Sequence, residues 1–317
     1  MIEFSHKTVL LDESIDALNI RPDGIYVDGT LGGGGHSLEI LKRLHGGRLI
    51  GIDQDEDAIR ATKERLKDFK GSFDVVQSNF ENMAQIVKKL GYGHVNGIML
   101  DLGVSSFQID EASRGFSYMN PDAPLDMRMN RGQELTAETI VNEWPAEELA
   151  VLFKEYGEER YAKRISYSIE KERAASRITT TGRLNEIIEG SIPQKALRTG
   201  GHPSKRVFMA LRIEVNRELD VLKNSIDTMI DMLEDEGRLC IITFHSLEDR
   251  IVKQTFRKNE NPCICPKDLP VCVCGRRSKG RVVTRHPIIP GEEELERNSR
   301  AKSAKLRVFR RVSDKGI

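Results

Sequence analysis

Four consecutive glycines, Gly32 to Gly35, follow a short apolar run that ends at Asp28, and His36 comes directly after them. Later apolar runs also end on residues that can do chemistry: Asp53 closes "LIGID", Asp101 closes "GIMLD", His245 follows "CIITF", and Phe80 lies just past "FDVVQ". A glycine-rich turn between a strand and a helix gives a ligand access to bare backbone and to a helix N-terminus, where nucleotide-type ligands sit in open α/β sheets. A carboxylate some twenty residues further on, here Asp53, is placed to accept hydrogen bonds from both hydroxyls of a ribose. Its plainer alternative is to cap the helix "EDAIRATKERL", for which Asp55 is the better candidate. Phe80 either lies against a ring or belongs to the core. His245 either contacts a substrate or simply precedes a helix whose start, Ser246-x-x-Asp249, has the form of a capping box.

The glycine spacing removes one ligand class. Gly32-x-Gly34 leads to Ser37 and Gly33-x-Gly35 to Leu38, so the G-x-G-x-x-G dinucleotide fingerprint is not completed and a nicotinamide cofactor is disfavoured. The pattern Asp28-x-Thr30-x-Gly32-x-Gly34 is instead similar to the loop of methyltransferases that use S-adenosylmethionine, with room for methionine and ribose and no pyrophosphate to hold. Methyl transfer from a sulfonium is an in-line displacement that depends on positioning. Enzymes that methylate amines resemble one another in placing Asp/Asn/Ser-Pro-Pro-Tyr/Phe after the fourth strand. Here the slot reads Asp101-Leu102-Gly103-Val104, without the prolines, and both Asp101 and a backbone carbonyl near Leu102 stand as acceptors for an amine proton.

The elements that must carry these residues alternate. "GIYVDGT", "GRLIGIDQD" and "FDVVQSNF" are each followed by a stretch of helical spacing, and "VNGIMLDLG" supplies a fourth strand, which predicts a doubly wound α/β fold with a parallel sheet. The next convincing strand is "GRLCIITF" at 237–244, and a gap of that length cannot be a loop. Amphipathic stretches within 134–177 and 183–232 predict an inserted helical domain, so the expected organisation is 1–108, then an insertion at 109–214, then 215–317. The irregular "RGFSYMNPDAPLDMRMNRGQ" reads as a lid that orders on demand, "LRIEVNRELDVLKNSIDTMIDMLEDEG" as the helical return to the sheet, and "SAKLRVFRRVSD" as an edge strand.

The net charge is zero, yet residues 251–317 hold 17 Lys and Arg against 7 Asp and Glu, and both regions before them are net acidic. This basic arm is either a solvated face or a docking surface for an anionic partner such as nucleic acid. No apolar run approaches the roughly 18 to 20 residues of a membrane helix, and the N-terminus lacks a signal-peptide layout. The expectation is therefore a cytoplasmic protein with no membrane partner. Five cysteines are too few for a disulfide scaffold. Four of them, Cys263, Cys265, Cys272 and Cys274, nevertheless cluster, and either bind zinc tetrahedrally or form a reduced or redox-labile clip.

Taken together, "HKTVLLDE", "YVDGTLGGGGHS", "LDLGVSSFQID", "RGFSYM", "PLDMRM", "YGEER", "ALRIEVNREL", "FHSLEDRIVK" and "NSRAKSAKLR" closely resemble the bacterial 16S ribosomal RNA cytosine-N4 methyltransferase (MraW/RsmH) family, over nearly the whole chain. The resemblance implies a class I (Rossmann-like) S-adenosylmethionine-dependent methyltransferase domain with an inserted helical substrate-binding domain. It implies 16S rRNA in the small ribosomal subunit as partner, and as target the N4 of a cytosine in the P-site decoding region, nucleotide 1402. A second copy of the chain, in a homodimer, is the other candidate partner. Carried over by motif, cofactor contacts fall on Gly34, Gly35, His36, Asp53, Phe80, Asp101 and Gln108, the last on the resemblance alone. Asp101 and His245 are the catalytic candidates, and no metal is implied. Two rival readings of the same fold are a DNA amino-methyltransferase and a non-catalytic RNA-binding assembly factor.

Overall fold

The computed structural model describes residues 8–197, 201–266 and 273–313. The described chain divides into two compact units: one runs up to Gly103 and resumes at Leu219, the other runs from Val104 to Glu218. The boundaries drawn from sequence, at 108/109 and 214/215, both lie inside the second unit.

The first unit opens with α1 (Leu11–Leu18), β1 (Ile25–Asp28), α2 (Gly35–Arg43), β2 (Arg48–Asp53), α3 (Glu56–Arg65), β3 (Phe73–Gln77), α4 (Met83–Lys89) and β4 (Val95–Asp101). The second unit holds α5 (Ser106–Asp110), α6 (Ala137–Glu143), α7 (Ala146–Glu155), α8 (Ala162–Ala175), α9 (Thr181–Ser191), α10 (Gln194–Leu197) and α11 (Lys205–Val215). The chain then continues through α12 (Glu218–Met232), β5 (Leu233–Thr243), α13 (Ser246–Glu260), β6 (Gly280–Val282), α14 (Glu292–Arg297) and β7 (Lys305–Arg311).

The sheet order is β3-β2-β1-β4-β5-β7-β6. β1 to β5 are parallel and β7 runs antiparallel between β5 and β6. The strand order reverses between β1 and β4, the switch point at which a crevice opens beyond the carboxyl ends of the strands. Both faces are covered. Ile98, Leu100, Leu239 and Ile241 pack with Ile226, Met229, Val252 and Phe256 on one side. Met99, Cys240 and Ile242 pack with Leu10, Ile15, Leu18 and Ile40 on the other. This is why the central strands read as continuous apolar runs rather than alternating ones.

Two sequence expectations change here. "SAKLRVFRRVSD" is not an edge strand, because the short β6 covers its outer side: Gly280 lies so close that a Cβ there would stand 2.0 Å from the Arg310 carbonyl oxygen. The helical return is broken in two at Asn216 and Arg217. Arg217 has φ 50°, and the Asn216 side chain turns inward to donate to the Met127 carbonyl and accept from Met129 N–H, both at 2.8 Å.

Those last bonds overturn the lid as well. Leu125, Met127 and Met129 are built into the hydrophobic core of the second unit with Phe153, Ile165, Ile188 and Leu211. Arg114, 1% exposed, donates from Nη2 to the carbonyls of Arg128 (2.9 Å) and Met129 (3.2 Å). Asp126 takes Arg128 in a two-pronged ion pair at 3.0 and 2.8 Å. The Met and Arg that break the periodicity do so because this wall is irregular backbone tied by side chains, not because it is loose. Among the described residues no helix is long and apolar enough to cross a membrane.

Candidate functional site

In the first unit, β1, β2 and β4 deliver three carboxylates to one edge of the sheet, and the glycine loop is strung between them. Asp28, 1% exposed, accepts from Ser37 Oγ at 2.6 Å and from Thr30 N–H at 3.2 Å. Asp53 accepts from Gly32 N–H at 2.9 Å with one oxygen and from Asp55 N–H at 2.9 Å with the other. It therefore braces the loop, while Asp55 caps α3 by accepting from Asp57 N–H. Asp101 donates its own N–H to Thr30 Oγ1 at 2.6 Å, tying the loop to β4.

The four glycines are not equivalent. Gly32 and Gly34 have φ of 48° and 72°, in the left-handed region that costs an L side chain energy. At Gly35, the first residue of α2, a Cβ would stand 1.7 Å from Thr8 Oγ1. Only Gly33 has room, with Arg65 Nη1 at 3.9 Å as its nearest neighbour. Two side chains from α3 hold the loop from outside: Thr62 Oγ1 donates to the Gly32 carbonyl at 3.1 Å and Arg65 Nη1 to the Gly33 carbonyl at 2.8 Å.

Burial drives the electrostatics. Loss of hydration pushes the Asp28 and Asp53 carboxyls up to about 6, against the pull of the hydrogen bonds they accept. Asp101 is pushed up to about 8, first by burial and then by the like charges of Asp28, Glu248 and Glu294, although 26% of its side chain still meets solvent. His36 is brought down to about 4 by burial and so is neutral. Its Nδ1 lies 3.9 Å from Asp101 Oδ2, too far for a hydrogen bond, and a neutral imidazole makes no ion pair. Asp101 Oδ1 and His36 Nε2 are both buried without a hydrogen-bond partner. An edge with paired acids, open acceptors and exposed backbone suits a ligand that is cationic and carries hydroxyl groups.

Phe80 begins a short 3-10 turn after β3 and is half-buried against the core, with its Cβ close to Gly29. His245 stands one strand over, past β5, whose Ile242 pairs with Asp101. The helix start there differs from the sequence expectation. His245 is the residue before α13, and it is the Glu248 carboxylate that accepts from the N–H groups of Phe244 (2.8 Å) and His245 (3.2 Å). Asp249 is drawn away to Arg307 at 2.6 Å. Both His245 ring nitrogens are buried without a hydrogen bond, although Nε2 is 3.2 Å from Glu248 Oε1. Gln108 belongs to the second unit, where its side-chain oxygen accepts from Ser105 N–H at 2.9 Å in a capping box. Cys272 lies outside the described residues.

Thr62 and Arg65 escape the sequence reading altogether, and Thr30 and Ser37, which flank the glycines, enter it only as spacing, without their roles as partners of Asp101 and Asp28. Further along the first unit, Lys253, Arg257, Arg285, His286 and Arg307 line a basic cleft beside α13 and β6, a concentration of the C-terminal positive charge.

The model of the MraW methylase family matches residues 3–312. A protein of Lachnospira eligens named ribosomal RNA small subunit methyltransferase H is 62% identical over 313 residues, covering 98% of this chain and 99% of its own. Ribosomal RNA small subunit methyltransferase H 2 of Agathobacter rectalis is 61% identical, covering 97% and 98%. A methyltransferase H of Clostridium botulinum is 55% identical, covering 98% and 100%. With a glycine loop braced by strand-end carboxylates and a match over almost its full length, the chain belongs to the MraW methylase family.

Proposed function

We propose that this chain is a methyltransferase of small-subunit ribosomal RNA that uses S-adenosylmethionine and modifies the exocyclic N4 of a cytosine, nucleotide 1402 of 16S rRNA, in the bacterial cytoplasm. The observation that carries the reading is the strand-end acid cluster around bare glycine backbone, together with family membership. S-adenosylmethionine supplies an electrophilic methyl on a cationic sulfonium, and a cation with two ribose hydroxyls fits an edge where Asp101 Oδ1 and His36 Nε2 are buried without partners. Asp53 would take the ribose, leaving one lone pair on each oxygen to brace Gly32 and Asp55. Gly34, Gly35 and neutral His36 would hold the backbone open, and Phe80 would lie against the adenine with its uncovered side.

Asp101 would grip the amine. An N4 amine attacks poorly while its lone pair is shared with the ring, so an acceptor for its proton sharpens the nucleophile. A cationic donor beside Asp101 lowers the carboxyl from its raised position toward ionisation, so the acceptor forms when the methyl source is present. His245, buried without a hydrogen bond one strand away, would contact the base. The basic cleft on α13 would follow RNA phosphates. Gln108 enters only by the family resemblance.

The test is mass spectrometry of nuclease fragments of 16S rRNA from cells lacking this chain. The expected result is loss of one N4-methyl from the fragment containing that cytosine. An unchanged fragment mass would refute the proposal, and labelled methyl transfer to duplex DNA rather than to 30S particles would redirect it.

A further inference from the structure

The described residues between α13 and β6 have little apolar burial to hold them. From Asn261 to Lys279 they form no helix or strand, and the Ile264 and Val273 side chains are 65% and 76% exposed. The base of this loop is pinned, with Lys279 N–H donating to the Asn259 carbonyl and Val282 N–H to Glu260 Oε1, both at 2.9 Å. Away from that base the Sγ atoms of Cys263, Cys265 and Cys274 all lie within 4.8 Å of one another, and no disulfide joins any two of the three. Val273 N–H points at Cys265 Sγ, 3.4 Å away.

From this arrangement we propose that Cys263, Cys265 and Cys274 form a structural zinc site that staples the loop. Three sulfurs around one Zn²⁺ at about 2.3 Å stand about 3.8 Å apart, which small side-chain rotations reach from the present spacing. A disulfide would draw one pair to about 2.05 Å, whereas the three sulfurs here are grouped about one point. The Cys-x-Cys pair, too close in sequence for the usual two-residue knuckle, can face one ion because its two sulfurs already lie within 4.8 Å of each other and of Cys274 Sγ. The N–H of Val273 orients the Cys265 sulfur as outer partners of metal ligands do. Cys272 lies outside the described residues and is not counted among the ligands; the fourth position of the tetrahedron falls to a water or another side chain. On binding, each thiol releases its proton to solvent and the ion is neither oxidised nor reduced. The site is separate from the strand-end acids, and its role is to fix the segment that leads through Arg276 and Arg277 into β6.

The experiment uses the full chain purified without chelator. Elemental mass spectrometry is expected to find one zinc per chain, released by a mercurial thiol reagent. Replacement by Co²⁺ is expected to give the visible bands of a tetrahedral, thiolate-rich site. Cys263→Ser, Cys265→Ser and Cys274→Ser should each lower zinc affinity by about tenfold or more, since even outer partners of a metal are worth that much. They should also open the loop to trypsin at Arg276 and Arg277 while the main unfolding transition stays in place. If a variant fails to fold, the cobalt spectrum of the unmodified chain still decides. Absence of metal, zinc retained in all three serine variants, an intact mass lower by two protons from a bridge, or the broad absorption of an iron–sulfur cluster would each overturn the proposal.

Discussion

Two stretches of irregular backbone, residues 28–36 in the first unit and 110–135 in the second, look alike in sequence: both are rich in glycine or methionine and lack any period. Their polar groups separate them. In the second stretch Arg114, Asp126 and Arg128 are bonded into the wall of a core, and none of the orphaned buried side-chain atoms among the described residues falls there. Around the first stretch, Asp101 Oδ1 and His36 Nε2 are buried without partners. Irregular backbone whose polar groups are all answered by the protein is architecture. Irregular backbone bordered by unanswered ones is where a ligand is expected, because a buried acceptor left alone costs about 1–3 kcal/mol.

The contrast can be broken most forcefully from the architectural side. Arg114→Ala strips donors from two buried carbonyls and should destabilise the second unit by about 3 kcal/mol or more, read by denaturant unfolding, with cofactor affinity of the first unit changed little. A soluble variant of unchanged stability would mean that the stretch is not a packed wall.

A smaller effect sharpens the other side. Gly35→Ala should cost about 1–3 kcal/mol through the clash with Thr8 and reduce methyl transfer, whereas Gly33→Ala should stay within about 0.5 kcal/mol. Thr8→Gly combined with Gly35→Ala should recover much of the loss. Equal effects at Gly33 and Gly35 would contradict the sorting of the glycines by local space.

The smallest effect is in pH. Asp101 has a folded-state value raised above its unfolded one, so its contribution to stability is complete at low pH and is lost as pH rises from about 4 through about 8. Asp101→Asn removes that loss. In ligand-free protein the melting temperature of the variant should gain on that of the parent as pH goes from 5 to 8, by a few degrees at most. Parallel pH curves would show that Asp101 is not held protonated.

Much of the first unit was legible because parallel strands buried on both faces announce themselves as apolar runs, and because Asp28, Asp53 and Asp101 each end one. What sequence could not show was long-range. Nothing near Thr62 or Arg65 marks them as partners of Gly32 and Gly33, some thirty positions earlier, since only the packing of α3 brings them there. The position of β7 inside the sheet depended on a three-residue strand too short to recognise. The start of α13 was misread because Ser246-x-x-Asp249 has the right local spacing, while Arg307, far along the chain, draws Asp249 away and leaves Glu248 to cap. The supposed lid failed for the same reason: Asn216 supplies its order from about ninety residues downstream.

The proposed function requires that S-adenosylmethionine bind at the carboxyl edge of the first unit through Asp53. Titration calorimetry of the purified chain with that ligand tests it most directly. Saturable one-site binding is expected, weakened by about 1–3 kcal/mol in Asp53→Ala. Absence of binding, or binding of the same strength in Asp53→Ala, would contradict it.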